Sequence, residues 1–207
     1  MKGYKTVRGY AFDEFYEKRS RFIGYAAPVS SEPEAQALIG RIEKENRGAA
    51  HNVFAYLLRE GQVSRCSDDG EPQGTGGVPV LEVLQREGVT DACVVVTRYF
   101  GGILLGTGGL ARAYSRAAQI ALTAAGVVDM LPCSETEVIC DYSFYGKLSY
   151  LLPKYEAHIK ESSFEDAVRM SIQLPLARFE EFFKEITEQS GGKVVPRQSR
   201  TFFGEIV

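Results

Sequence analysis

Arg98-Tyr99-Phe100 runs directly into Gly101 and Gly102, and Gly106, Thr107 and Gly108 follow in the same loop. Backbone N–H groups that no side chain crowds, set at the start of a helix, suit an anionic ligand, because the positive end of the helix dipole adds to them. Beyond the loop, Leu110, Ala113, Tyr114 and Ala117 recur at helical spacing, and Arg112, Ser115, Arg116 and Gln119 share another face. With Arg98 at the end of the preceding strand, Arg112 and Arg116 form a basic patch whose guanidinium forks match phosphate oxygens. The loop has the outer spacing of a phosphate-binding P-loop, since four residues separate Gly101 from Gly106. Thr107 stands where that motif needs lysine, which argues against nucleoside triphosphate hydrolysis.

The tetrapeptide Gly106-Thr107-Gly108-Gly109 has an echo in Gly74-Thr75-Gly76-Gly77, and each is placed to open a helix. On one reading two helix N-termini converge on a single anion, each offering N–H groups and a threonine hydroxyl, which brings Thr75 and Gly76 into the site. On the other, Thr and Gly are simply competent near helix starts, and glycine lets a helix pack close to a sheet. A second constellation joins His51 to Asp68, Asp69 and Glu71, a polar cluster suited to a metal or to acid–base work. The alternative is a turn rich in capping residues beside an unrelated histidine. A metal here would need more carboxylates than the sequence places, so no metal, no cofactor and no catalytic residue is expected.

The elements that must position these groups follow from patterning. Val94, Val95 and Val96 make a strand buried on both faces, and Asn52 to Arg59, apolar on both sides, belongs inside a sheet. Thr6 to Phe12 and Arg21 to Pro28 read as strands, the second with a basic entrance at Arg19-Ser20-Arg21. Ser31 is placed as an N-cap with Glu34 at the capping-box position, ahead of an apolar stripe of Ala35, Leu38, Ile39 and Ile42 that Gly48 ends. After Pro132 a fresh segment begins. It reads as strand Thr136 to Asp141, helix Tyr145 to Tyr155, strands His158 to Ser163 and Ala167 to Leu174, helix Leu176 to Gln189, and strand Val194 to Phe202. That order, βαββαβ, is the ferredoxin-like split arrangement. The segment holds no nucleophile–base pair and no metal spacing.

Composition bounds the function. A chain of 207 residues with 44% hydrophobic and 25% charged residues is ordinary for a globular protein. A formal net charge of -3 supplies no global field for nucleic acid, so any such contact must come from a local patch. No stretch approaches the roughly 20 apolar residues of a membrane helix, and Met1 to Lys5 lacks a signal-peptide core, so a cytoplasmic location without membrane contact is expected. Cys66, Cys93, Cys133 and Cys140 show no metal-binding pairing and read as reduced packing thiols.

The run Arg98 to Gly106 after Val94 to Val96 resembles the signature of the IMPACT family, in its bacterial, YigZ-type branch. Ser20 to Ile23, His51 to Val53, Asp68 to Pro72, and Gly74 to Gly77 with Pro79 resemble the family's other motifs in the same order, over roughly residues 15 to 125. The resemblance implies an α+β protein of two domains. The first, 1–132, would be similar to the second domain of a small-subunit ribosomal protein, a βαβ-type sheet with helices on one face. The second, 133–207, would be ferredoxin-like, similar to the end domains of the translocation elongation factor. Eukaryotic members regulate translation under amino-acid starvation by competing for the activator of an initiation-factor kinase, and they carry an additional N-terminal domain that this chain is expected to lack. Three readings follow: a non-catalytic, translation-linked regulator that engages RNA or the ribosome through the glycine-rich, arginine-bearing surface; a module that presents the same surface to an acidic protein partner; and a hydrolase of a phosphorylated or small substrate, with His51 as base and Asp68 or Asp69 as orienter. The first is favoured.

Overall fold

Thr6 to Phe12 does not form one strand. Tyr4–Val7 makes β1, the chain turns at Arg8-Gly9-Tyr10, and Ala11–Glu17 makes β2. The break is held by long-range bonds: Arg8 N donates to Gly126 O at 2.8 Å and Thr90 N to Lys5 O at 2.9 Å. The computed structural model describes residues 2–205, in two compact units of which the first spans Tyr4–Val128.

In this first unit, β2 turns through Lys18 and Arg19 into β3 (Ser20–Pro28). Helix α1 (Glu32–Glu45) follows, its cap Ser31 accepting from Glu34 N and its buried stripe Ala35, Leu38, Ile39 and Ile42 as the spacing predicts. Next come β4 (His51–Leu58), a short β5 (Val63–Ser67) that patterning does not reveal, α2 (Gly77–Glu87), β6 (Ala92–Tyr99) and α3 (Thr107–Ala125). The sheet order is β2-β3-β6-β4-β5, with β6 antiparallel to both β3 and β4.

The expectation of helices on one face is corrected, because both faces are covered. Val53, Ala55, Val94 and Val96 pack with Val80 and Leu84 of α2 and with Leu110, Tyr114 and Ala117 of α3. On the opposite face Ile23, Tyr56, Cys93 and Val95 pack with Leu38, Ile39 and Ile42 of α1. A central strand apolar at every successive position requires this: each valine left facing water would forgo about 1.5–3 kcal/mol of burial.

The second unit begins inside β7 (Val127–Cys140), which starts directly after α3. Pro132 therefore lies within a strand and does not precede one. It sits ahead of the first β9 pair, Cys133 with Pro175, so its missing N–H removes nothing from that ladder. The chain continues as α4 (Tyr142–Leu151), β8 (His158–Phe164), β9 (Val168–Pro175), α5 (Phe179–Gln189) and β10 (Arg197–Glu205). The strands lie in the order β10-β7-β9-β8, antiparallel throughout, which is the split βαβ topology. Leu148, Leu152, Phe182 and Ile186 cover Val138, Met170 and Ile172. Among the described residues no helix is long and apolar enough to cross a membrane.

Candidate functional site

The register of the central strands makes His51 and Arg98 cross-strand partners, and Phe22 flanks Arg98 on its other side. Residues directly opposite in an antiparallel pair project to the same face, so all three point toward α2 and α3. The loop after β5 brings Glu71 over them. Arg98 Nη1 donates to Glu71 Oε1 at 2.5 Å, and Tyr114 Oη donates to the same oxygen at 2.7 Å from α3. His51 Nε2 lies 3.9 Å from that oxygen. Burial, and then the Glu71 charge, push the Tyr114 hydroxyl far above the ordinary tyrosine range, so it is a fixed donor.

Arg98 is thereby removed from the expected basic patch. It is 5% exposed, paired with a buried carboxylate, and stacked near the rings of Phe22 and Phe100. Its partner is Glu71; neither Asp68 nor Asp69 reaches it. Those two carboxylates turn to backbone. Asp68 accepts from Gly74 N (2.8 Å), Gly76 N (2.9 Å) and Gly77 N (2.8 Å), and Asp69 accepts from Asn52 N at 2.5 Å. Burial raises the Asp68 carboxyl, but the three N–H groups outweigh it and hold it below its ordinary value. His51 Nδ1 donates to the Asp69 carbonyl at 2.7 Å. The four residues of the polar cluster therefore do not converge as metal ligands, and among the described residues no three His, Cys, Asp or Glu side chains do.

The two Gly-Thr-Gly-Gly segments open helices, as their composition predicts, yet they differ. At α2 the chain's own Asp68 occupies the helix start, while Thr75 is buried with its hydroxyl donating to Pro72 O at 2.6 Å. The start of α2 is therefore taken up by a carboxylate of this chain. At α3 no side chain among the described residues caps the start: Gly106 takes φ +73° and the first intrahelical bond runs from Leu110 N to Gly106 O. Thr107 and Gly108 are exposed there. An uncapped N-terminus of a 19-residue helix carries roughly half a positive charge.

Two depressions flank this start. A cavity of about 450 Å³ is lined by His51, Glu71, Arg98, Phe100, Leu104 and Thr107 among others. A groove of about 260 Å³ holds Arg112 and Arg116, with Phe15, Lys18 and Leu105. Lys18 is a residue that patterning missed. It and Arg19 form the two-residue β2–β3 turn, both with positive φ (46° and 66°), the geometry of a type I′ hairpin. No glycine or asparagine marks the turn, so the usual sequence signal is lacking. Gly101 packs against it: a β-carbon on Gly101 would stand 2.0 Å from the Arg19 carbonyl carbon. Gly102, at φ +79°, carries the loop onward.

The Impact N-terminal domain model matches residues 18–122, and a domain of unknown function, DUF1949, matches 138–193. IMPACT family member YvyE of Bacillus subtilis is 38% identical over 194 residues, 93% of this chain and 89% of that protein. IMPACT family member YigZ of Escherichia coli is 34% identical over 180 residues, covering 86% and 88%. A solved structure described as the crystal structure of a hypothetical protein superposes with a TM-score of 0.61 at 30% identity, over 97% of this chain and 98% of its own.

Proposed function

We propose that this chain, which belongs to the IMPACT family, is a non-catalytic, translation-linked binding protein whose first unit engages structured RNA or the ribosome. The observation that carries this reading is the groove beside α3. Lys18, Arg112 and Arg116 line it together, and among the described residues none of the three has a carboxylate at ion-pair distance. Arg116 lies over the ring of Phe15 at 4.2 Å, which orders its guanidinium while leaving its edge to solvent. Glu17 is the one acidic side chain on the groove wall. A local cluster of cations on a chain of net charge -3 is the arrangement a phosphate contact requires. The turn that delivers Lys18 keeps two non-glycine residues at positive φ, a conformation that costs of order 1–3 kcal/mol each and concentrates at functional sites.

The hydrolase reading has less support, since Asp68 and Asp69 are engaged with backbone N–H groups and His51 is oriented by a backbone carbonyl. The test is co-sedimentation with ribosomes, and with isolated structured RNA, across a salt series for the native chain and an Arg112→Glu/Arg116→Glu variant. The expected result is binding that weakens with salt and is lost in the variant. Absence of binding at low salt would overturn the RNA reading and favour an acidic protein partner for the same groove.

A further inference from the structure

The cavity between the start of β4, the Gly70–Pro72 turn and the start of α3 plays no part in the RNA reading, and its chemistry differs from that of the groove. At about 450 Å³ it falls within the size range of small-molecule sites, roughly 300–1,000 Å³. Its walls include Phe100, Leu104 and Leu110. Leu104 is 82% exposed and Phe100 50% exposed, an apolar rim open to solvent among the described residues.

Two independent polar features belong to the same cavity. The first is the uncapped start of α3 at Gly106 and Thr107. Its twin at α2 shows what such a start accepts in this protein, namely a carboxylate held by three backbone N–H groups. The second is Arg98, which lines the cavity while buried; its Nε has no hydrogen-bond partner, a condition that among the described residues it shares with Ser149 Oγ alone. A buried donor without an acceptor costs about 1–3 kcal/mol, and an acceptor brought by a ligand would relieve it.

We propose that this cavity binds a small organic anion, with a phosphate or carboxylate head on the first-turn amides of α3 and an apolar body against Phe100, Leu104 and Leu110. His51, whose Nδ1 is committed to Asp69 O, lines the same cavity, with its other ring nitrogen 3.9 Å from Glu71 Oε1. The cavity and the RNA groove meet at Leu105, but Arg112 and Arg116 line the groove and neither lines the cavity.

The test is a ¹H–¹⁵N NMR titration of the full chain with phenyl phosphate, benzoate, inorganic phosphate and phenol. Saturable shifts centred on the Thr107, Gly108 and Gly109 amides and Arg98 Nε–H are expected with the first two, the tighter of them at least about tenfold tighter than inorganic phosphate, and none with phenol. Thr107→Asp supplies the helix start with its own carboxylate, which favours the helix, and should weaken binding by about tenfold or more. Leu104→Glu, at an exposed position, should do the same by placing a charge on the apolar rim. Arg116→Glu, whose side chain lies over Phe15 in the groove, should bind as the native chain does, with Arg112 left native because its Nη1 lies beside Gly108. Shifts that do not saturate, that map away from α3, or that persist unchanged in both Thr107→Asp and Leu104→Glu would overturn the proposal.

Discussion

Arg98 and Glu71 form a buried ion pair, Nη1 to Oε1 at 2.5 Å, that ties the end of the central strand to the loop before α2. Tyr114 closes the arrangement from α3, so one carboxylate oxygen joins three elements of the first unit. Breaking such a pair from one side leaves a charge uncompensated in a dry environment, which costs about 3–5 kcal/mol. Glu71→Ala and Arg98→Met should each lose stability on that scale in equilibrium urea unfolding. The double variant Glu71→Leu/Arg98→Met should lose markedly less than the two single changes added together, because it leaves neither charge stranded. Additive losses would show that the two side chains act separately.

Asp68 predicts an acid dependence. Its folded pKa lies below the ordinary carboxylate value of 3.8, so the stability it contributes is complete above that value and disappears as pH falls through the folded pKa. Asp68→Asn removes the charge at the α2 start and should cost about 0.5–2 kcal/mol at neutral pH. The gap in melting temperature between native and variant should be constant from neutral pH down to about 5, then narrow toward pH 2. A gap that stays constant through this acid range would mean that the bonds to Gly74, Gly76 and Gly77 do not favour the ionised form.

Much of this frame was legible in the sequence because it rests on local chemistry. The β-branched run 94–96, the capped helix after Ser31 and the βαββαβ order of the second half are patterns of spacing. The site was less legible for a physical reason: its decisive contacts cross the chain. Two identical tetrapeptides have different fates because Asp68 folds back onto one of them, a consequence of the turn at Asp69 and Gly70, both at positive φ. Arg98 sits on a strand covered on both faces, so alternation does not tell which of its residues face water. Glu71 as its partner could be found only once the register had set His51 beside Arg98. Lys18-Arg19 hides a hairpin because neither residue is one that such turns favour.

Salt dependence gives the RNA reading a quantitative form. Each cation that neutralises a phosphate contributes about 0.7–0.9 to the slope of log affinity against log salt. Arg112→Ala and Arg116→Ala should each lower that slope by about this amount and weaken binding about equally across RNA sequences. Lys18→Ala should do the same if the β2–β3 turn forms one wall of the binding groove. An unchanged slope in all three variants would remove the groove from the interface.

Gly101, in the loop before α3, and Gly108, in the first turn of α3, should respond in opposite directions to the same substitution. At Gly101 a methyl group would meet Arg19 backbone at 2.0 Å, and backbone cannot swing aside as a flexible side chain does. Gly101→Ala must therefore displace the Lys18–Arg19 turn, an overpacking cost of about 1–3 kcal/mol or more. Because Lys18 lines the groove, the displacement should also weaken RNA binding beyond what lost stability explains. Gly108 lies inside α3, where the nearest atom to an added β-carbon is the flexible Arg112 Nη1 at 3.5 Å. Gly108→Ala should therefore stabilise the chain by about 0.5–1 kcal/mol, the entropy that a helical glycine forfeits. Urea unfolding of the two variants side by side is the check: a Gly101→Ala variant as stable as the native chain would mean that the loop does not pack against the β2–β3 turn as described and that Lys18 is not held in place by Gly101, and a Gly108→Ala variant less stable than the native chain would overturn the helical-glycine argument.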